Sequence, residues 1–179
     1  TVEILEGYRR RTDGQVSVLG TDPAHPTPAW RDRVGLVLQS SKIADEVTVE
    51  EVIAHHGRFY ARPRPVQEVI ALVGLDDKRR DRVSKLSGGQ QQRLDVALGI
   101  VGRPELLFLD EPTTGFDPEA RRHFWELIAR LRDEGTTILL TTHYLDEAEV
   151  LADRVGVIVQ GRMIDVGAPA TLGGRVSSG

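Results

Sequence analysis

The sequence contains no cysteine, which excludes disulfide frameworks, thiolate metal sites and thiol redox chemistry and fits a cytosolic setting. No apolar run approaches the roughly 20 residues that span a bilayer, and Glu3 and Glu6 interrupt the apolar positions of the first stretch, which therefore does not read as a signal peptide. A basic excess is missing as well: 23 Lys and Arg stand against 27 Asp and Glu, for a formal net charge of -4. Without that excess there is little counterion release to gain from a phosphate backbone, so DNA and RNA are poor partners. Nothing in the chain matches a glycine-rich phosphate loop ending in Gly-Lys-Ser or Gly-Lys-Thr.

What remains is a globular composition, 40% hydrophobic and 28% charged over 179 residues. That length supports one core with a small subdomain attached. Residues 1–8 have helical apolar spacing, and Arg9-Arg10-Arg11 behind them reads as a solvated helix end. Residues 15–20 alternate as a short strand before Pro23, Pro26 and Pro28 forbid regular structure. Residues 34–39 form an apolar run of strand length. From residue 47 to 97 the pattern is helical: Val49, Val52, Ile53 and His56 share one face, as do Val66, Val69, Ile70 and Val73, and Gly74 ends the second helix. The alternating charges of residues 76–82 read as a solvated loop.

Ser87 with Gln90 three residues on reads as a capping box, and Leu94, Ala97, Leu98 and Val101 give the helix behind it an apolar stripe. Residues 106–109 are a wholly apolar strand. Phe124, Leu127, Ile128 and Leu131 line one face of a helix over about 118–134, stopped by Gly135. Residues 136–141 read as another buried strand, followed by a short helix over 144–152 and two strands joined at Gln160-Gly161-Arg162. Strands alternating with crossover helices predict an α/β fold with a mostly parallel sheet.

Two features carry chemistry on their own. Asp110 and Glu111 stand at the exit of a buried strand, where open parallel sheets bind ligands; one carboxylate suits a magnesium ion held through water, the other an attacking water. Ser87-Gly88-Gly89 at a helix start offers unpartnered N–H groups, a positive dipole end and a hydroxyl, the makings of an anion site. Gln39 and His143 each end an apolar strand, which is by itself the ordinary position of a polar strand-end residue. His55-His56 has no third ligand and reads as a surface pair, and Trp30, Trp125, Phe59 and Tyr60 read as packing residues.

Taken together, Leu86-Ser87-Gly88-Gly89-Gln90 and Leu106-Leu107-Phe108-Leu109-Asp110-Glu111, with Pro112-Thr113-Thr114-Gly115-Phe116-Asp117 behind them, resemble the signature loop, Walker B strand and D-loop of ATP-binding cassette (ABC) ATPases. The resemblance runs from Thr1 to about Leu172, and Thr142-His143-Tyr144-Leu145-Asp146-Glu147-Ala148 looks most like bacterial multidrug and antibiotic exporters. It implies a P-loop NTPase, RecA-like core over 1–41 and 99–172, an inserted helical subdomain over 42–98 and a frayed tail over 173–179. It also implies roles: Gln39 as the Q-loop residue reaching magnesium and water, Asp110 on Mg2+, Glu111 acting on water, His143 as the switch histidine, and Asp117 as the D-loop acid. Ser87, Gly88, Gly89 and Gln90 would grip ATP held by a second ATPase domain. A membrane-spanning subunit would be the other partner, placing the protein on the inner face of the cell membrane.

By the same resemblance residues 1–8 are the helix that follows the phosphate loop, so the loop, its lysine and the adenine-stacking aromatic are expected to be missing. Losing three or more charge-assisted hydrogen bonds removes on the order of 5 to 9 kcal/mol, which would ruin a micromolar ATP site at about 1.4 kcal/mol per tenfold. The 179 residues are therefore expected to be inactive in ATP hydrolysis while their parent protein is active, and to expose a strand edge beside residues 136–141. The alternatives are a soluble, non-transport ABC protein and a truncated, non-catalytic regulatory partner that lends its signature loop.

Overall fold

The computed structural model describes residues 1–37 and 46–174. In chain order, α1 (Val2–Leu5) and α2 (Pro28–Arg31) precede β1 (Val34–Val37). Three helices follow, α3 (Val49–Gly57), α4 (Val66–Leu72) and α5 (Gly88–Ile100), with short 3-10 turns between the last two. Then come β2 (Leu106–Asp110), α6 (Pro118–Asp133) and β3 (Thr137–Thr141). The last elements are α7 (Leu145–Leu151), β4 (Val155–Val159), β5 (Arg162–Gly167) and a 3-10 turn at Pro169–Gly174. No helix among the described residues is long and apolar enough to cross a membrane.

The helix starts follow from side chains that satisfy orphan N–H groups. At α5, Ser87 N–H donates to Gln90 Oε1 at 2.9 Å while Gln90 N–H donates to Ser87 Oγ at 3.4 Å, the reciprocal box expected from the sequence. Thr48 and Glu51 make the same box at α3, which went unread although its Thr-x-x-Glu spacing is visible. Asp117 starts α6 by accepting from Glu119 N–H at 3.0 Å and Ala120 N–H at 2.8 Å, with Pro118 at the first helical position. Gly135, at φ +95, ends that helix in the left-handed region that a Cβ disfavours.

The first compact unit, up to Thr141, is built on a parallel sheet in the order β1-β2-β3, with Val34 opposite Leu106 and Asp110 opposite Thr141. β2 lies in the middle, and its apolar run is buried on both faces, as the continuous Leu106 to Leu109 pattern demands. One core cluster joins Val18, Trp30, Val34, Leu106 and Phe108; the Trp30 indole N–H donates to Val18 O at 2.8 Å, so the ring is buried without an orphan donor. The four apolar residues read on the face of α6 are all buried. Helix α5 lies so close to β1 that a Cβ on Gly35 would sit 2.2 Å from Gly99 O. Only hydrogen fits there.

Five expectations are corrected. Residues 15–20 do not form a strand: Val18 and Thr21 make an isolated bridge around a turn with Leu19 and Gly20 at positive φ, and among the described residues no strand pairs with them. β3 is half-exposed and not buried; among the described residues it pairs only with β2 and its other edge has no partner strand. Phe59 is 70% exposed, so it does not pack in the core. The basic run 9–11 is not simply solvated either, since α1 ends at Leu5 and Arg11 forks onto both carboxylate oxygens of Asp22 at 2.7 and 2.8 Å. The charged stretch 76–82 likewise spends part of its charge in ion pairs, Arg79 with Glu50 and Arg82 with Glu46.

The second unit, from Thr142, contains α7 and an antiparallel β4-β5 hairpin turned at Gln160 and Gly161, both at positive φ as a two-residue hairpin turn needs.

Candidate active site

At the carboxyl end of β2 the chain changes from apolar to acidic, and the register of the sheet brings Thr141 opposite Asp110. The Thr141 hydroxyl donates to Asp110 Oδ1. The Thr141 hydroxyl oxygen in turn accepts from Glu111 N–H at 3.2 Å, and Thr141 O accepts from that N–H at 3.1 Å. One threonine therefore fixes both members of the acidic pair. Glu111 sits at φ +46, a conformation that a non-glycine residue adopts at some cost and that clusters at functional sites. Glu111 Oε2 accepts from Thr114 Oγ1 at 3.4 Å. Both carboxylate residues are half-buried, open to a ligand and to water.

A third acid lies close by. Glu6, 7% exposed at the end of α1, has its carboxyl pushed above the usual range, first by burial and then by the charge of Asp110. Sequence reading missed Glu6 and Thr141 alike. For Thr141 a signal existed, a hydroxyl two residues before His143 on an expected strand; for Glu6 there was none.

The remaining expected residues divide clearly. Ser87 and Gly88 are exposed and Gly89 and Gln90 half-buried at the start of α5, and a Cβ on either glycine would meet nothing within 4 Å, so the surface above them is open for a ligand. Asp117 spends its Oδ1 on capping α6, a structural duty beside any other. Thr113 is buried in the segment between Glu111 and Asp117. His143 belongs to the second unit, exposed, with its ring 4.1 Å from that of Tyr144. Gln39 lies outside the described residues. Among the described residues no group of three or more His, Asp or Glu is arranged as a metal cage. The Asp110 carboxylate, hydrogen-bonded and half-buried, instead fits Mg2+, which keeps several waters and takes one or two carboxylates plus substrate phosphates. His55 and His56 face Phe59 and Tyr60 and form no such site.

A cleft of about 530 Å³ lies at the other end of the strands, lined by Arg64, Glu68, Arg103, Glu105, Glu134 and Thr136. It holds charged side chains already paired with one another, and it is remote from the acidic pair.

The sequence model of the family described as ABC transporter matches residues 1–114. The chain belongs to the ABC transporter family. This ABC chain is 40% identical over 183 residues to the daunorubicin/doxorubicin resistance ATP-binding protein DrrA of Streptomyces peucetius, covering 99% of this chain and 56% of that protein. It is 32% identical over 181 residues to the linearmycin resistance ATP-binding protein LnrL of Bacillus subtilis, covering 98% of this chain and 58% of the relative. A Nod factor export ATP-binding protein I from Neorhizobium galegae is 40% identical over 174 residues, 94% of this chain and 50% of that one. The chain thus spans about half the length of these three relatives. Among solved structures, the ATP-binding cassette MJ0796, in a dimeric post-hydrolysis state bound to ADP and Pi, superposes with a TM-score of 0.81 at 20% identity, over 94% of this chain and 78% of that one. The ABC ATPase fold expected from the motifs is the fold observed.

Proposed function

We propose that this chain is the nucleotide-hydrolysing part of an ABC exporter, a subunit that turns ATP binding and hydrolysis into movement of a membrane-spanning partner. The observation that carries the proposal is the acidic pair at the exit of β2, fixed by Thr141 and facing the carboxyl end of a parallel sheet, the end at which such sheets bind ligands. Asp110 would hold Mg2+, whose chemistry is to neutralise charge on the phosphates. Glu111 would orient and deprotonate the attacking water, with Gln39 and His143 acting on the same water and the γ-phosphate. Ser87, Gly88, Gly89 and Gln90 would bind the ATP of a second ATPase domain at the start of α5, where the N–H groups of Ser87 and Gln90 are taken by the capping box and those of Gly88 and Gly89 would face the phosphate, and Asp117 would communicate between the paired domains. The proposed organisation is a RecA-like core over 1–41 and 99–172 with a helical subdomain over 42–98, working on the inner face of the cell membrane. Relatives named for drug resistance and for Nod factor export support the direction of transport.

A second reading applies to the 179 residues taken alone. They contain the signature loop and the acidic pair but no Gly-Lys-Ser or Gly-Lys-Thr phosphate cradle, so by themselves they donate to another domain's ATP without turning over their own. Calorimetric titration with Mg-ATP separates the cases. Saturable micromolar binding is expected for the parent polypeptide and none for these residues alone; equal binding by both would sink the second reading.

A further inference from the structure

The loop between α3 and α4 leads Arg64 into the seam between the helices of residues 46–98 and the sheet-bearing part of the first unit. Its backbone N–H donates to Val101 O, the C-cap of α5, at 2.7 Å. Its guanidinium, 7% exposed, forks in two directions: Nη1 donates to Glu68 Oε1 on α4 at 2.8 Å, and Nη2 donates to Glu134 Oε2 at the end of α6 at 2.6 Å. Glu68 in turn accepts from Arg103 Nη2 at 3.4 Å. The result is an alternating chain, Glu134, Arg64, Glu68, Arg103, that crosses the seam twice. Glu134 is followed by Gly135 and Thr136, whose hydroxyl donates to Pro104 O at 3.4 Å, so the core side of this chain is anchored at the entrances of β2 and β3.

A buried ion pair is weak evidence for stability, because desolvation offsets much of its attraction. Here Nε of Arg64 is also buried with no hydrogen-bond partner, a further penalty that an apolar side chain would avoid. Such a group makes better sense as a device that fixes one arrangement: a planar fork aligned on two carboxylates from two elements is satisfied in a single orientation. The fork ties α4 to the end of α6, and the Arg64 backbone N–H ties the same loop to the C-cap of α5. The helix is 13 residues long, roughly 20 Å at about 1.5 Å per residue, with Arg64 at its C-cap and the Ser87 loop at its start. A swing of about 10° at the seam would displace Ser87 by roughly 3.5 Å over that length, more than a hydrogen bond tolerates.

We propose that Arg64 is a positioning residue which, through Glu134, sets the angle of α5 on the core and so the place where the signature loop meets its nucleotide. The significance for ATP rests on the function proposed above, but the angle itself does not, and its test involves no turnover. Because the chain has no cysteine, spin labels go where they are placed. Gln91→Cys and Arg122→Cys, both exposed, report α5 against α6; Ser17→Cys with Arg122→Cys reports inside the sheet-bearing part. Electron–electron distance measurements on the full chain should give one narrow distribution for the first pair. Glu134→Gln, and Arg64→Lys, which keeps charge but loses the fork, should each shift or broaden it by about 2.5 Å, following the lever above over the shorter arm to Gln91, while the second pair stays unchanged. An unmoved first pair in both variants overturns the proposal. Equal broadening of both pairs overturns it too, since that is general loosening. Glu134→Gln is the milder change and keeps the test open if Arg64→Lys fails to fold.

Discussion

Thr141 donates its hydroxyl hydrogen to Asp110 across the β2-β3 pair and at the same time accepts from the N–H of Glu111. The two carboxylate residues expected to do the chemistry are thus held by the neighbouring strand and not by their own. Thr141→Val keeps the shape and removes both interactions. The stability of the 179-residue chain should fall by about 1.5 to 3 kcal/mol, the usual worth of a hydrogen bond to a charged group, as read from urea midpoints. In a polypeptide that hydrolyses ATP with these residues as proposed, turnover should drop at least about tenfold with nucleotide affinity little changed, since about 1.4 kcal/mol of lost alignment is already a tenfold effect.

Glu111 is bent into the left-handed region. Glu111→Gln should leave thermal stability almost untouched, whereas Glu111→Val places a β-branched residue where it fits worst and should cost about 1 to 3 kcal/mol. Differential scanning calorimetry of the two variants tests this; equal melting temperatures would show that the bend is not set by the backbone.

Gly35 faces Gly99 O with room only for hydrogen. Gly35→Ala should separate β1 from α5 and destabilise the chain by about 1 to 3 kcal/mol. Gly88→Ala, whose Cβ would meet nothing, should change stability far less while placing a methyl group on the proposed nucleotide-facing surface.

Asp22 titrates at about 2, held down first by its hydrogen bonds from Arg11 and then by Ala24 N–H. A carboxyl depressed in the folded state contributes stability that is present above its unfolded value near 3.9 and is lost as pH falls through about 2. Arg11→Gln should flatten the acid limb of the stability profile between about pH 4 and 2 by lowering stability modestly above about pH 4 while leaving it unchanged near pH 2. An unaltered acid limb would show that the clamp carries no linkage.

The alternation of strands and crossover helices, the Ser87 box, the α6 face and the central apolar strand were legible because each is a local pattern with a local cause. The failures have non-local causes. Residues 15–20 have the alternation of a strand, but a strand needs a partner, and pairing is not written in the segment itself. The exposure of β3 depends on what stands at its other edge, which its own β-branched composition does not reveal. At the site, Asp110 and Glu111 were visible as a motif, whereas the support from Thr141 comes from inter-strand register. The burial of Glu6 beside Asp110 depends on where α1 is packed. Arg64 was invisible because its partners lie 4 and 70 residues away.

The central claim is that Glu111 handles the water in ATP hydrolysis. Its direct test is the steady-state rate of Mg-dependent ATP hydrolysis by the parent polypeptide, with and without Glu111→Gln, beside a nucleotide-binding titration of each. The account predicts a loss of about 100-fold or more, the usual worth of a positioned general base, with binding retained. Turnover within about threefold of the unaltered protein, against that expectation, would contradict it.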